Sequence, residues 1–168
     1  RFALRRVAAE LEVPVIPASI PLPHDADGIE QAAQVGIPLY VKAVAGGVVI
    51  RVDSYEELPD AVQRARERAA LVTGERAVYL ERAVDRLRQV ATTVVADHHG
   101  EVAWLGHSDK SLQVGFRSWA EEMGVDIVGE ELHERMGQAA AALTRQMEWV
   151  GIGRVRWAVT PNGGWYLL

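Results

Sequence analysis

The stretch that decides the fold is Gly36-Ile37-Pro38-Leu39-Tyr40-Val41-Lys42-Ala43-Val44-Ala45-Gly46-Gly47-Val48-Val49-Ile50-Arg51-Val52. It contains two valine-rich apolar runs, Pro38 to Val44 and Val48 to Val52, and short runs of this composition predict β-strands. Ala45-Gly46-Gly47 between them predicts a tight turn, because glycine tolerates backbone conformations that other residues avoid. The stretch therefore predicts a β-hairpin with one lysine, Lys42, in its first strand.

Helical patterns lie on both sides of this hairpin. Residues 2 to 11 and 29 to 35 carry apolar residues at helical spacing, and Gly36 is placed to close the second segment. After the hairpin, Ser54 followed by Glu57 has the spacing of a capping box, so a helix is predicted to begin at Ser54. The apolar face of that helix is predicted to consist of Leu58, Val62, Ala65 and Ala69.

The rest of the chain mixes strands with one long helix, predicted at residues 130 to 149. Strands are predicted at residues 78 to 81, 90 to 96, 102 to 105, 113 to 119, 154 to 159 and 165 to 168. Because strands and helices do not alternate regularly, the predicted fold class is α+β with mainly antiparallel sheet.

Composition excludes several classes of protein. The chain has 168 residues, a formal net charge of −5 and no cysteine, which excludes a disulfide framework and a thiolate metal site. The basic residues form no stripe, which argues against nucleic acid as a partner. No apolar run approaches the roughly 20 residues of a membrane span. We therefore expect a cytoplasmic protein, and the absence of an initiator methionine suggests a piece of a longer one.

Several strings, taken in order, resemble the biotin carboxylase branch of the ATP-grasp family. The resemblance covers nearly the whole chain and rests on Val13 to Ser19, Gly36 to Gly47, Val78 to Arg82, Val94 to Gln113, Met136-Gly137, Gly151 to Gly153 and Trp165 to Leu168. It implies an ATP-grasp fold with a small lid-like α/β lobe and part of a large antiparallel-sheet lobe. Residues 1–23 would be a lead-in helix and strand, 24–82 the small lobe and 83–168 part of the large lobe.

The resemblance also implies a nucleotide site in which ATP lies between two sheets. Lys42 matches the lysine that meets the α- and β-phosphates, and Glu81, Arg82 and Val84 match the segment that holds adenine. Gly46 and Gly47 match the start of the glycine loop that approaches the phosphates. Each has a purely structural alternative: an edge-strand lysine, a solvated Glu81–Arg82 pair, and ordinary turn glycines.

Two departures from the family pattern concern phosphate and metal. The family's glycine run is longer, whereas here Gly47 leads directly into Val48, which predicts a tight hairpin in place of a mobile lid. The strand matching Val155-Arg156-Trp157 carries a magnesium-binding glutamate in the family, and this chain has Arg156. The other family ligands follow the segment matched by Leu168, so no magnesium ligand is identified.

The end that binds bicarbonate and biotin in the family is also altered. Arg88 and Gln113 match family positions and are the candidate substrate residues. Gln89 and Phe116 stand where the family has histidines, and Ser118 stands where it has a lysine.

The resemblance implies a region of a ligase that carboxylates biotin with bicarbonate and MgATP. Its partners would be nucleotide and other carboxylase domains or subunits, such as the biotin carrier and the carboxyltransferase. Because of the departures, we expect ATP binding to be weak or vestigial and this chain to be inactive. Two alternatives stay open: a non-catalytic ATP-grasp pseudoenzyme that serves subunit contact or regulation, and an ATP-grasp ligase for another carboxylic acid.

Overall fold

The computed structural model describes the backbone of residues 2–114, 117–124 and 128–168, and the side chains of these residues except 113, 114, 117 and 118. They form, in chain order, α1 (Phe2–Glu10), α2 (Ile29–Val35), β1 (Leu39–Ala43), β2 (Val49–Val52), α3 (Leu58–Thr73), β3 (Val78–Arg82), β4 (Arg88–Ala96), β5 (Val102–Asp109), β6 (Gln113–Val114), β7 (Arg117–Ser118), β8 (Glu122–Met123), α4 (Glu130–Gln146), β9 (Gly151–Val159) and β10 (Trp165–Leu167). They divide into two compact units, one of Ile16–Asp85 and one of Arg1–Val15 with Arg86–Leu168.

The unit of Ile16–Asp85 is a three-stranded antiparallel sheet in the order β2-β1-β3, with α2 and α3 packed on one face. The central strand β1 alternates: Leu39, Val41 and Ala43 are buried in the core, whereas Tyr40 and Lys42 point to the opposite face. The predicted apolar face of α3 is confirmed, because Leu58, Val62, Ala65 and Ala69 all lie in that core.

The predicted hairpin is confirmed, since β1 pairs with β2 and the turn places Gly46 and Gly47 at φ 90° and 81°. The predicted start of the following helix is wrong. α3 begins at Leu58, and Ser54 makes no cap. Pro59 lies in the first turn, where its fixed φ suits a helix and its missing N–H costs nothing.

The unit of Arg1–Val15 and Arg86–Leu168 is built on a five-stranded antiparallel sheet in the order β10-β9-β4-β5-β8. Helices α1 and α4 supply Val7, Ala8, Met136, Ala140 and Leu143 to its core. Strand β4 lies at the centre and contributes Val90 and Val94, which pack with residues from β9 and β10 that include Trp157, Val159, Trp165 and Leu167. We call the opposite face of this sheet the open face.

A β-bulge makes β5 longer than predicted. The register between β4 and β5 shifts between Thr93 and Val94, and Gly106 has φ 121°, a conformation that favours glycine. The strand continues past Leu105 to Asp109, which places His107 in the interior and Ser108 opposite Ala91. The alternation of buried and exposed residues breaks at the bulge. A strand predicted from that alternation therefore ends at the bulge, before the true end of β5.

The single strand predicted at residues 113 to 119 is also wrong. The chain forms two short strands there, β6 and β7, which pair antiparallel with Gln113 opposite Ser118. The residue types of a short stretch do not show whether it continues as one strand or pairs with itself as two, and this explains the error. None of the helices in residues 2–114, 117–124 and 128–168 is long and apolar enough to cross a membrane.

Three side chains and one backbone carbonyl form a hydrogen-bonded chain inside the second unit. Trp157 Nε1–H donates to Thr92 Oγ1 at 2.7 Å, Thr92 Oγ1 lies 2.8 Å from His107 Nδ1, and His107 Nε2–H donates to the carbonyl of His133 at 2.8 Å. That carbonyl can only accept, so neutral His107 carries its proton on Nε2 and the Thr92 hydroxyl donates to Nδ1. Burial lowers the pKa of His107. The chain joins β4, β5, β9 and α4 through groups that are all satisfied when His107 is neutral.

Candidate functional site

Lys42 and Glu81 form an ion pair on the face of the small sheet that α2 and α3 leave uncovered. Tyr40 of β1 lies opposite Glu81 of β3, so Lys42 reaches Glu81 on the diagonal, and Lys42 Nζ donates to Glu81 Oε1. The Lys42 side chain is 22% exposed and that of Glu81 only 7%. An ammonium has three N–H donors, so one bond to Glu81 leaves Lys42 able to bind a second anion.

Tyr40 and Arg51 extend this face. The Tyr40 ring lies 5.6 Å from Lys42 Nζ and 5.9 Å from Arg51 Cζ. Arg51 donates to Asp85 Oδ1 at 2.7 Å and to Asp53 Oδ1 at 2.9 Å. These two carboxylates raise the pKa of Arg51, which stays charged. Arg51 is therefore paired with two carboxylates, whereas Lys42 forms an ion pair with one carboxylate, that of Glu81.

Gly46 and Gly47 form the turn that joins β1 to β2. Both residues have positive φ angles, which explains why glycine occupies these positions. At Gly47 there is also little space, since a Cβ would lie 3.1 Å from Val72 Cγ1 of α3. Apart from Gly46 itself and its two chain neighbours, no described residue has an atom within 4 Å of where a Cβ on Gly46 would stand, so another group has room to approach there. Val84 lies beyond the end of β3 and is half-buried.

The side chain of Arg82 points away from Lys42 and Glu81. Successive residues of β3 face opposite sides of the sheet, and Arg82 Nη1 donates to the Val35 carbonyl at the end of α2 at 3.3 Å. Gly36 makes room for this contact, since a Cβ there would lie 2.0 Å from Arg82 Nη1. The structure thus brings Lys42 and Glu81 together but directs Arg82 to a helix end.

The two candidate substrate residues lie in the other unit. Arg88 Nη2 donates to Asp109 Oδ2 at 2.6 Å. Partial burial opposes ionisation of Asp109, but hydrogen bonds from Ser111 and Arg88 hold its pKa below the ordinary value. The backbones of Gln113 and Ser118 pair with each other, and their side chains are not described. Phe116 lies outside the described residues.

A cationic cluster on the open face was not anticipated from the sequence. Glu121 Oε2 lies 3.0 Å from Arg154 Nη1 and 3.3 Å from Lys110 Nζ, and Ser108 Oγ donates to Glu121 Oε1 at 2.5 Å. Arg156 is exposed and points to the same face as Arg154, two residues away on β9. The alternation Arg154-Val155-Arg156 was the available signal, because a half-buried strand places both arginines on its exposed side.

Magnesium does not fit this open face. Mg²⁺ takes carboxylate and other oxygen ligands. Arg156 stands where the family resemblance expects a carboxylate, and Glu121 is already bonded to Ser108, Lys110 and Arg154. Within residues 2–114, 117–124 and 128–168, no group of three or more His, Asp or Glu side chains is placed to hold a metal ion.

Comparison with protein families gives one match over the whole chain. The family model described as carbamoyl-phosphate synthase L chain, ATP binding domain, matches residues 1–168. Among curated proteins, the chain is similar to the biotin carboxylase of Halalkalibacterium halodurans, with 31% identity over 172 residues that cover 100% of this chain and 38% of that protein. It is also 28% identical to pyruvate carboxylase 1 of Caenorhabditis elegans, covering 100% of this chain and 15% of that protein.

A solved structure shows the same fold. The biotin carboxylase of Campylobacter jejuni, in a complex described as β-γ-ATP, superimposes with a TM-score of 0.89 at 26% identity, covering 96% of this chain and 37% of that one. The predicted α+β class and ATP-grasp fold are therefore confirmed. The chain spans well under half the length of these relatives.

Proposed function

Since the chain belongs to the family of carbamoyl-phosphate synthase L chain ATP-binding domains, we propose that it binds an adenine nucleotide through Lys42 and Glu81. The observation that carries the proposal is the Lys42–Glu81 pair on the uncovered face of the small sheet. A compact ammonium neutralises phosphate charge, and Lys42 keeps donors for that purpose. Glu81 would accept from the adenine amino group, with Val84 against the base.

Gly46, Gly47 and Arg82 have smaller parts in this proposal. The space around Gly46 would let backbone N–H groups approach phosphate. Arg82 would act through the backbone of its segment, because its side chain bonds Val35. In the proposal, the unit of Ile16–Asp85 corresponds to the lid-like lobe, and the remainder corresponds to part of the large lobe.

We propose further that this ATP-binding region works as part of a biotin-dependent carboxylase and that its nucleotide site is weak. The turn between β1 and β2 is short, so it covers phosphate less than a mobile loop would. A complete carboxylase would also need a biotin carrier and a carboxyltransferase, which are the proposed partners. Arg88 and Gln113 stay candidate substrate residues.

A non-catalytic role is the second candidate, and Arg156 favours it. A cation at a metal-binding position opposes the Mg²⁺ that phosphoryl transfer needs. The chain would then use its ATP-grasp fold for subunit contact or regulation. A ligase acting on another carboxylic acid would explain the altered positions Phe116 and Ser118 but not Arg156.

Calorimetric titration of ADP tests the nucleotide site. We expect a Kd above about 10 μM, corresponding to less than roughly 7 kcal/mol. Lys42→Met should weaken ADP binding by ~1.5–3 kcal/mol, the usual contribution of a hydrogen bond to a charged group. Adenosine affinity should not change, because adenosine has no phosphate.

Arg68→Met is the matched control, since it removes an exposed cation from α3 on the helix-covered side of the same unit. It should leave ADP binding unchanged. Tight ADP binding that is indifferent to Lys42→Met would refute this assignment.

A further inference from the structure

The cationic cluster on the open face carries more positive than negative charge. Lys110 and Arg154 share one oxygen of Glu121, and the exposed Arg156 adds a third cation. Arg156 makes no ion pair with any side chain that the structure describes. The three cations repel one another, and the single carboxylate offsets only part of that repulsion. An anion bound among them would reduce it further.

The strand register places these groups around a floor of small side chains. Arg156 of β9 lies opposite Ala91 of β4, which in turn lies opposite Ser108 of β5. Arg154 lies opposite Thr93, and Thr93 lies opposite Gly106. Residues two apart on one strand lie about 7 Å apart and share a face, so Arg154 and Arg156 rise from neighbouring positions on the open face.

The single carboxylate is held by protein groups and is not available as a metal ligand. The Ser108 hydroxyl, followed by Lys110 and Arg154, lowers the pKa of Glu121, so it is ionised at neutral pH. Its charge offsets one of the neighbouring cations, and its ion pairs fix the ends of the Lys110 and Arg154 side chains. Arg156 is left as the cation with the most freedom to bind a ligand.

We infer that Arg156, Arg154 and Lys110 form a site for a di- or triphosphate that binds without a divalent metal ion. The guanidinium groups supply planar, paired donors that match phosphate oxygens. They take over charge neutralisation from the metal that Arg156 displaces. The inference rests on the proposed function only in naming the anion as a phosphate chain.

The effect of Mg²⁺ on phosphate affinity distinguishes a metal-dependent site from a purely cationic one. A site that uses metal binds phosphate chains more tightly when Mg²⁺ is added. A purely cationic site binds them less tightly, because Mg²⁺ complexed to the anion removes the charge that the site recognises. The probe is inorganic pyrophosphate, titrated by calorimetry at low ionic strength, once with EDTA and once with excess Mg²⁺.

We expect pyrophosphate to bind in EDTA and to bind several-fold more weakly in Mg²⁺. Arg156→Gln should weaken binding in EDTA roughly tenfold, and Arg156→Glu should weaken it further, because each step removes positive charge. Arg145→Gln, an exposed cation on α4, should have no effect, since α4 packs on the other face of the sheet. Unchanged melting temperatures would show that the exposed variants fold.

Three results would overturn the inference: no pyrophosphate binding in EDTA, tighter binding in Mg²⁺, or equal effects of Arg156→Gln and Arg145→Gln. Failure of the proposed function has a different signature. If Lys42→Met left ADP binding unchanged while Arg156→Gln weakened pyrophosphate binding, the anion site would stand and the Lys42–Glu81 assignment would fall.

Discussion

At the scale of single residues, the Lys42–Glu81 pair shows how one contact can serve both stability and binding. Glu81 is almost entirely buried, so its carboxylate depends on the ion pair with Lys42 for compensation. A buried charge that loses its partner costs more than the pair contributes. Nucleotide binding at Lys42 would therefore have to preserve the pair or replace it with another contact to Glu81.

We expect Lys42→Met to lower the free energy of unfolding by ~1–3 kcal/mol, because the Glu81 carboxylate loses a partner. The double variant Lys42→Met/Glu81→Gln should recover part of that loss, since no buried charge is then left. Urea denaturation of both variants measures the difference. The control is Glu81→Gln alone. If adding Glu81→Gln to Lys42→Met lowered the free energy of unfolding as much as it does in the unmodified protein, the two residues would not be coupled.

Arg82 and Arg156 show that residue type does not reveal the role of a side chain. The family resemblance implies a nucleotide-site position for Arg82 and a metal-site position for Arg156. The structure directs Arg82 to the carbonyl end of α2 and places Arg156 on an exposed strand face. A positive charge near a helix C-terminus is favourable, so a structural role explains Arg82 without any ligand.

At the scale of secondary-structure elements, the hydrogen-bonded chain through Thr92 ties three strands and a helix together. Thr92 is fully buried, and its hydroxyl accepts a hydrogen bond from Trp157 and donates one to neutral His107. Removing the hydroxyl leaves two buried polar groups without a partner. The cost of each is about 1–3 kcal/mol.

Thr92→Val should therefore destabilise the protein by ~2–6 kcal/mol, although it keeps the shape of the side chain. Thr93→Val is the control, because the neighbouring Thr93 lies on the open face. It should change stability by less than about 1 kcal/mol. Chemical denaturation gives both values, and equal effects would show that the hydroxyl of Thr92 is not needed.

His107 makes the stability of the same elements depend on pH. Its pKa is lowered from 6.5 by burial, so the unfolded chain takes up a proton at a higher pH than the folded protein does. Stability is then full above the unfolded value and falls as pH drops through 6.5. We expect a loss of up to about 1.4 kcal/mol per pH unit from this group.

The urea midpoint, measured at several pH values between neutral and mildly acidic, tests this dependence. His107→Gln should be less stable near neutral pH but should show a flatter decline on acidification. A decline as steep as that of the unmodified protein would assign the effect to groups other than His107.

At the scale of the whole molecule, we expect no biotin-stimulated release of phosphate from ATP. The turn at Gly46 and Gly47 is short. The family resemblance implies, in addition, that Arg156 stands at a magnesium-binding position and that Phe116 and Ser118 stand at the biotin end. Losing one preorganised electrostatic group typically costs ~100- to 1,000-fold in rate. Two such losses should put turnover below detection, even though such effects are not additive.

Phosphate release with biotin and bicarbonate, measured with and without the protein, checks this expectation. Arg156→Glu alone should not restore turnover, because the other positions stay altered. Biotin-stimulated release that Lys42→Ala abolishes would contradict the non-catalytic candidate and would require catalytic groups other than those named here.

The sequence by itself determined the features that depend on neighbouring residues. The glycines at 46 and 47 predicted the hairpin turn, Gly36 predicted the end of α2, and the spacing of apolar residues predicted the buried face of α3. Each of these follows from backbone conformation or helical periodicity, both of which are local properties. The ATP-grasp fold was indicated separately, by the resemblance of several strings, taken in order, to the biotin carboxylase branch of that family.

Only the tertiary structure decided which distant side chains meet. Lys42 and Glu81 are 39 residues apart, and Arg154 and Glu121 are 33 apart. Strand register sets such contacts, and a shift of one residue would turn every side chain of a strand to the other face. The bulge at Gly106 is one such shift, and it determines that His107 enters the core while Ser108 reaches Glu121. No pattern in a single segment contains that information, because it depends on how two strands pair.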